Sequence, residues 1–269
     1  MTPAGAETRI QLPTDIPSFP DQWRELAVRI EINLGEFFAN YAVVLRDKPS
    51  MSCEIVAVDP ATGKRDSKNE EGVIKAPDDS AKNLTSQLGE VLRQADLRKS
   101  RSEEILTQLD TTFGYFAAVL NIQPQSHPAT FELFETSVLI ARVVVLRAKN
   151  HFKRVRPVQL SPLVQPMILT PGHAAYPSGH ATHSKMIADI LTHCADGRPA
   201  GIADILDKLA RRITENRTIA GVHFPDDNSA GRDLGAFLAE CLTTKRDSMP
   251  AIQALIERAS LEITGRTRG

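Results

Sequence analysis

A chain of 269 residues, 42% of them hydrophobic, can bury a substantial core and falls within the range of one large domain. A formal net charge of −1 gives no global field to recruit nucleic acid or an anionic membrane surface, so any preference for anions has to come from a local cluster and the expected partner is a small molecule. Cys53, Cys194 and Cys241 are far apart, form no CxxC and pair with no histidine at metal-ligand spacing, which reads as reduced structural thiols.

Residues 1–20 read as an N-terminal extension, and residues 21–269 as a single helical catalytic domain. The extension has prolines and acids but no basic stretch leading into an apolar run, so it does not look like a secretory leader, and a cytoplasmic location is expected. Leu26, Ile30, Leu34, Phe37, Phe38, Tyr41 and Leu45 recur at spacings of three and four and predict a helix over 21–45. That period is lost over 51–79. There Ile55-Val56-Ala57-Val58 followed by Asp59-Pro60-Ala61-Thr62-Gly63 predicts a small hairpin near 51–65, and Lys64 to Gly72 reads as a mobile polar connector.

Helical periodicity resumes over 80–98, 102–120 and 129–152, then over 178–194, 202–220, 228–243 and 251–262. The expected fold is therefore all-α, a helical bundle. Its most apolar run, Val138 to Leu146, is interrupted by Arg142 and falls short of the roughly 20 residues that span a bilayer, so no membrane partner is expected. Pro157, Pro162, Pro166 and Pro171 break up one long irregular segment, and such a loop inside a helical domain is more often functional than accidental.

Three short segments carry chemistry. In the first, Lys149 and Arg156 are two helical turns apart and would share a face if the helix ran through His151 and Phe152, with Pro157 closing it. In the second, Ser178 stands at an N-cap position, so its hydroxyl and the Gly179 amide can face an anion at a positive helix end, and His180 follows in the first turn as a proton donor or acceptor. His183 could pair with His180 as half a metal site, but nothing at suitable spacing completes it and no metal cation is expected. In the third, Arg217 offers a planar fork for oxyanions, His223 follows Gly221 near a helix end, and Asp227 either caps the next helix or holds His223 Nδ1 so that Nε2 points at the substrate.

Lys149-x6-Arg156-Pro157, Pro177-Ser178-Gly179-His180 and Arg217-x5-His223-x3-Asp227 resemble, in order, the three-part signature of the superfamily that joins type 2 phosphatidic acid phosphatases, bacterial class A acid phosphatases and vanadium-dependent haloperoxidases. Asn216 stands where that family usually has serine, and residues before about Ala129 resemble nothing identifiable. The resemblance implies a bundle with the anion pocket at one end. Lys149, Arg156 and Arg217 would neutralise the oxygens of phosphate or vanadate, with Ser178 and the Gly179 amide adding hydrogen bonds. His223 would be the phosphohistidine nucleophile or the ligand to vanadium, His180 the acid/base and Asp227 the group that orients His223. The family also implies a homo-oligomer.

Phosphate and vanadate share shape and charge, so the signature leaves the reaction open. Lys149 to Pro157 and the modest length resemble acid phosphatases. His173, five residues before the pocket serine, resembles the bromoperoxidases, and Gly221-Val222-His223-Phe224 followed by Asp227-Asn228 resembles haloperoxidases. These features together favour a vanadium-dependent haloperoxidase-like enzyme, with vanadate as cofactor and hydrogen peroxide and bromide or iodide as substrates. The alternatives are a soluble phosphomonoesterase using a phosphohistidine, and an oxyanion-binding protein without turnover.

Overall fold

The structure, a computed structural model, describes residues 21–47, 51–59, 62, 64, 72–109, 112–196, 201–244 and 248–265. The expected extension over 1–20 and nearly all of the polar connector lie outside the described residues. In chain order the elements are α1 (Asp21–Asn40), β1 (Tyr41–Arg46), β2 (Ser52–Ala57), β3 (Val73–Lys75), α2 (Ala81–Gln94), α3 (Arg98–Thr107), α4 (Phe113–Leu120), α5 (Pro128–Phe152), α6 (Pro157–Leu160), α7 (Gly179–Cys194), α8 (Ile202–Ile219), α9 (Pro225–Thr244) and α10 (Pro250–Thr264). Short 3-10 turns lie at Ala95–Leu97 and Pro162–Val164. The architecture is an all-α bundle with one small sheet.

That sheet departs from the hairpin expected near 51–65. β2 does contain Ile55, Val56 and Ala57, but it pairs antiparallel with β1 on one side and β3 on the other, Tyr41 opposite Ala57 and Cys53 opposite Ile74. The helix predicted to reach residue 45 ends at Asn40, whose Nδ2 donates to Glu36 O at 2.8 Å and to Ser248 O at 3.0 Å. Tyr-Ala-Val-Val-Leu then takes up the strand its aromatic and β-branched content favours. Tyr41 still faces the core, stacked on Phe37 at 5.0 Å between ring centroids.

The helix predicted over 102–120 is divided, α3 ending before Gln108 and α4 starting at Phe113. Gln108 is fully buried there, and its side chain is committed to partners on α8.

α7 occupies the middle of the bundle. It packs on α5, α8, α9 and α10, and its Ala181, Thr182, Ser184, Met186, Ile187, Ala188, Ile190, Leu191 and Cys194 are all buried. A helix apolar on most of its sides belongs in the interior. Its N-terminus is thereby fixed by neighbours on every side. α9 approaches it so closely that a Cβ on Gly231 would run into the Ser178 carbonyl oxygen, and one on Gly235 into the Thr182 carbonyl oxygen. α5 is held at its start by Glu262 of α10, whose carboxylate accepts from the Ala129 and Thr130 amides at 2.8 Å, where the positive helix end favours an anion.

All three cysteines are buried and unbridged, and burial pushes the Cys53 thiol up to about 12, as fits structural thiols. Among the described residues no helix is long and apolar enough to cross a membrane.

Candidate active site

Lys149 lies in the last turn of α5, 2% exposed, and its Nζ donates to the carbonyls of Ala174 and Ala175 at 2.8 Å each. The expectation that Arg156 shares its helix face is corrected. α5 stops at Phe152 because Lys153 adopts a left-handed conformation (φ 53°), and Arg156 is extended (φ −85°, ψ 155°) immediately before Pro157 opens α6. The reversed chain brings the Arg156 side chain back toward the site by another route. Its Nη1 donates to Val222 O at 2.7 Å and lies 3.1 Å from His223 Nε2, while Nη2 lies 3.2 Å from His173 Nδ1.

Ser178 precedes α7 as an extended residue (φ −71°, ψ 119°), but its hydroxyl does not cap the helix. Oγ is buried and, among the described residues, has no hydrogen-bond partner. Gly179 then opens α7, whose first amides point out of the positive end. His180 follows, its Nε2 3.2 Å from the carbonyl oxygen of Gln108.

Arg217, in the last turn of α8, is 1% exposed. Its Nη2 donates to Gln108 Oε1 at 3.1 Å, and Nε and Nη1 are without partners among the described residues. His223 lies between α8 and α9, its Nδ1 3.2 Å from Asp227 Oδ2, and the same oxygen accepts from the Phe224 amide at 2.9 Å. Asp227 therefore orients His223 besides opening α9, and it is completely buried.

Lys149, His173, Gly179, His180 and His223 line one cavity of about 850 Å3, whose remaining wall includes Phe113, Phe131, Phe134, Val138 and Val145. Arg156, Ser178, Arg217 and Asp227 stand behind that wall, each within one bond or one residue of a lining group. All nine residues expected at the site thus converge. His183 also lines the cavity with a buried Nε2 that has no partner among the described residues, and burial lowers its pKa to about 4. Among the described residues no group of three or more His, Cys, Asp or Glu is placed to hold a metal ion.

The electrostatics follow from crowding cations into a desolvated space. Burial first, then Arg156, lowers Lys149 to about 7, and burial lowers Arg156 and Arg217 to about 10. His223 is held well below the ordinary imidazole value by burial, then by Lys149, Arg156 and Arg217, so it stays neutral. Burial and Arg217 do the same to His180, and burial lowers His173 less strongly. Donors without partners among the described residues, beside desolvated cations, form a site that a tetrahedral oxyanion would complete.

Two residues at the site carried no sequence signal. Gln108 accepts from both Arg217 and Asn216 through its side chain and faces His180 through its carbonyl. Arg154, one of the unspecified positions between Lys149 and Arg156, has a fully buried side chain bonded to Asp227 Oδ1 at 2.7 Å.

No family model matches the chain. Among curated proteins it is similar to the non-specific acid phosphatases of Salmonella typhi and Salmonella typhimurium (strain LT2), each 25% identical over 177 residues, which covers 61% of this chain and 66% of the relative. The match thus spans just under two thirds of the relatives' length. Among solved structures it is similar to the first transmembrane PAP2 type phosphatidylglycerolphosphate phosphatase from Bacillus subtilis, with a TM-score of 0.47, 16% identity and coverage of 60% of this chain and 84% of that one, a likeness too loose to argue from.

Proposed function

We propose that the chain, similar as it is to non-specific acid phosphatases, is a member of the type 2 phosphatidic acid phosphatase superfamily and hydrolyses phosphomonoesters through a phosphohistidine on His223. The observation that carries this reading is the tautomer of His223. Arg156 donates to Nε2 and Asp227 accepts at Nδ1, so a neutral imidazole presents its Nε2 lone pair beside the unpartnered donors of Ser178 and Arg217.

In the reaction, Nε2 attacks phosphorus in line and the bond to the leaving alcohol breaks. Lys149, Arg156 and Arg217 neutralise the equatorial oxygens, with Ser178 Oγ and the Gly179 amide as hydrogen-bond donors. His180 gives its proton to the departing oxygen. With Nε2–H donated to the Gln108 carbonyl, Nδ1 is the nitrogen that handles that proton; burial and then the field of Arg217 discharge the ring in the free protein, and a bound dianion favours its charged form. Water, deprotonated by His180 in turn, then releases phosphate from His223. The leaving group occupies the aromatic part of the cavity, between Phe113, Phe131 and Phe134.

The haloperoxidase preference gives way to the hydrolase for two reasons. The curated relatives are named as phosphatases, and His173, the residue that looked most peroxidase-like, faces Arg156 with its Nδ1. Vanadate has the shape and charge of phosphate and fits the same donors, with His223 as its ligand. Bound there it would supply Lewis-acid activation of peroxide in a haloperoxidase, and would block turnover in a phosphatase.

The deciding assay measures phosphate release from a chromogenic phosphomonoester, with and without orthovanadate, and then halogenation of a trapping dye with vanadate, bromide and peroxide. Phosphate release that vanadate inhibits, with no dye halogenation, is the expected result. Dye halogenation that requires vanadate, without phosphomonoesterase activity, would overturn the proposal.

A further inference from the structure

Arg154 has no exposed side-chain surface, lies just past the end of α5 and makes no contact with the cavity that holds His223. Its guanidinium is spent on carboxylates and rings instead. Nη1 donates to Asp227 Oδ1 at 2.7 Å, Nε donates to Asp79 Oδ1 at 2.9 Å, and the group lies over the Phe224 ring at 4.7 Å and the Tyr176 ring at 5.8 Å. Its own carbonyl accepts from the Ala175 amide at 2.9 Å, and Ala175 in turn receives Lys149.

Asp227 divides its two oxygens. Oδ2 takes the Phe224 amide and faces His223 Nδ1, and Oδ1 takes Arg154. A carboxylate with no exposed surface needs a cation and fixed donors to stay ionised and in place. Without them, burial favours the protonated acid, which can no longer oblige His223 to keep its proton on Nδ1.

We infer that Arg154 is a positioning residue, holding the Asp227 carboxylate through Oδ1 in the orientation that keeps the proton of His223 on Nδ1 and its lone pair on Nε2. The inference deepens the proposed reaction, because the tautomer matters to catalysis only where Nε2 is the reacting atom. Asp79 anchors the far side of the guanidinium and sets its angle. Residues on three separated stretches of chain are thereby joined into one chain of contacts ending at His223.

The test uses the full chain with Arg154→Met and Arg154→Lys. Imidazole 15N shifts of His223, read without substrate, report the tautomer directly. The expected result is a single Nδ1–H form in the wild type, a mixture with the Nε2–H form in Arg154→Met, where Arg156 alone still favours an accepting Nε2, and recovery of the wild-type form in Arg154→Lys. With a phosphomonoester, kcat of Arg154→Met falls about 100-fold or more while the inhibition constant for inorganic phosphate stays within about threefold, and Arg154→Lys regains at least about tenfold.

Because Arg154→Met strands a buried carboxylate, the double variant Arg154→Met/Asp227→Asn is made alongside Asp227→Asn. If Arg154 acts through Asp227, the double variant matches Asp227→Asn in kcat and in tautomer. An unchanged tautomer with unchanged kcat in Arg154→Met, or losses that multiply in the double variant, overturns the inference. A wild type that releases no phosphate sinks the proposed reaction instead, and the 15N spectra still decide what Arg154 does.

Discussion

Arg156 Nη1 stands 3.1 Å from His223 Nε2, and because a guanidinium nitrogen can only donate, Nε2 is the accepting nitrogen of that ring while the contact is made. The proton is left on Nδ1, 3.2 Å from Asp227 Oδ2. In the proposed reaction, the cation that would bind the substrate's oxygens thus also holds the lone pair of the nucleophile ready in the free protein. His223→Ala should lower kcat by about 1000-fold or more, comparable to losing a nucleophile elsewhere. Radiolabelled phosphate from a phosphomonoester, trapped under alkaline quench, should label the wild-type chain and leave His223→Ala unlabelled. Equal labelling of the two would place the covalent step on another residue.

Much of this site was legible in the sequence because its residue types are hard to account for as packing. Lys149, Gly179 and His223 sit at or beside helix ends, where spacing and capping rules apply locally, and the structure brings them to one cavity. Arg156 converges too, although by a left-handed turn at Lys153 that periodicity does not encode. β1 was misread because Tyr41 and Leu45 satisfy a four-residue helical spacing as readily as a strand, and only pairing with β2 separates the two. Arg154 and Gln108 stayed hidden because their partners Asp227 and Arg217 are 73 and 109 positions away. Their meaning is wholly tertiary.

Ser178 Oγ is buried with no hydrogen-bond partner among the described residues, so in the free protein it carries desolvation without compensation. Ser178→Ala removes that cost and leaves the backbone amides of the helix start intact. The melting temperature should stay level or rise. The inhibition constant for inorganic phosphate should weaken by about tenfold, the equivalent of one hydrogen bond of about 1.4 kcal/mol to the anion. Thermal unfolding and phosphate inhibition of the two proteins are the check, and an unchanged inhibition constant would remove Ser178 from the pocket.

Lys149 is lowered to about 7 in the free protein by burial and then by Arg156, so it loses its proton as pH rises through neutrality. A tetrahedral dianion in the pocket favours the charged ammonium and moves that pKa up. Between the free and bound values the complex holds more protons than the free protein, so binding takes up a proton. Sulfate keeps its own charge over this range, which makes it the cleaner probe. Calorimetric titration with sulfate in buffers of different ionisation enthalpy, run on the wild type and Lys149→Met, isolates the share of Lys149 from any proton taken up by His180. The uptake of the two proteins should be nearly equal at pH 6 and differ by nearly one proton at pH 8, and equal uptake at pH 8 would assign the proton to another group.

Gly231 is where α9 touches the start of α7, and a Cβ added there would run into the Ser178 carbonyl oxygen and meet Ala181 Cβ at 2.9 Å. The Ser178 amide also donates to the Asp227 carbonyl at 2.8 Å, so the two helices share one contact that carries both the serine proposed to bind the anion and the carboxylate beside His223. Gly231→Ala should therefore cost about 1–3 kcal/mol of stability, as backbone atoms have no rotamer by which to escape. It should also lower kcat, because separating α7 from α9 moves Ser178 away from His223. Gly89→Ala provides the contrast, since nothing lies within 4 Å of a Cβ on that exposed residue of α2. There the better helix propensity of alanine should stabilise by about 0.5–1 kcal/mol with kcat unchanged. Denaturant unfolding and kcat measured on both variants separate loss of a close helix contact from the general effect of replacing a helical glycine.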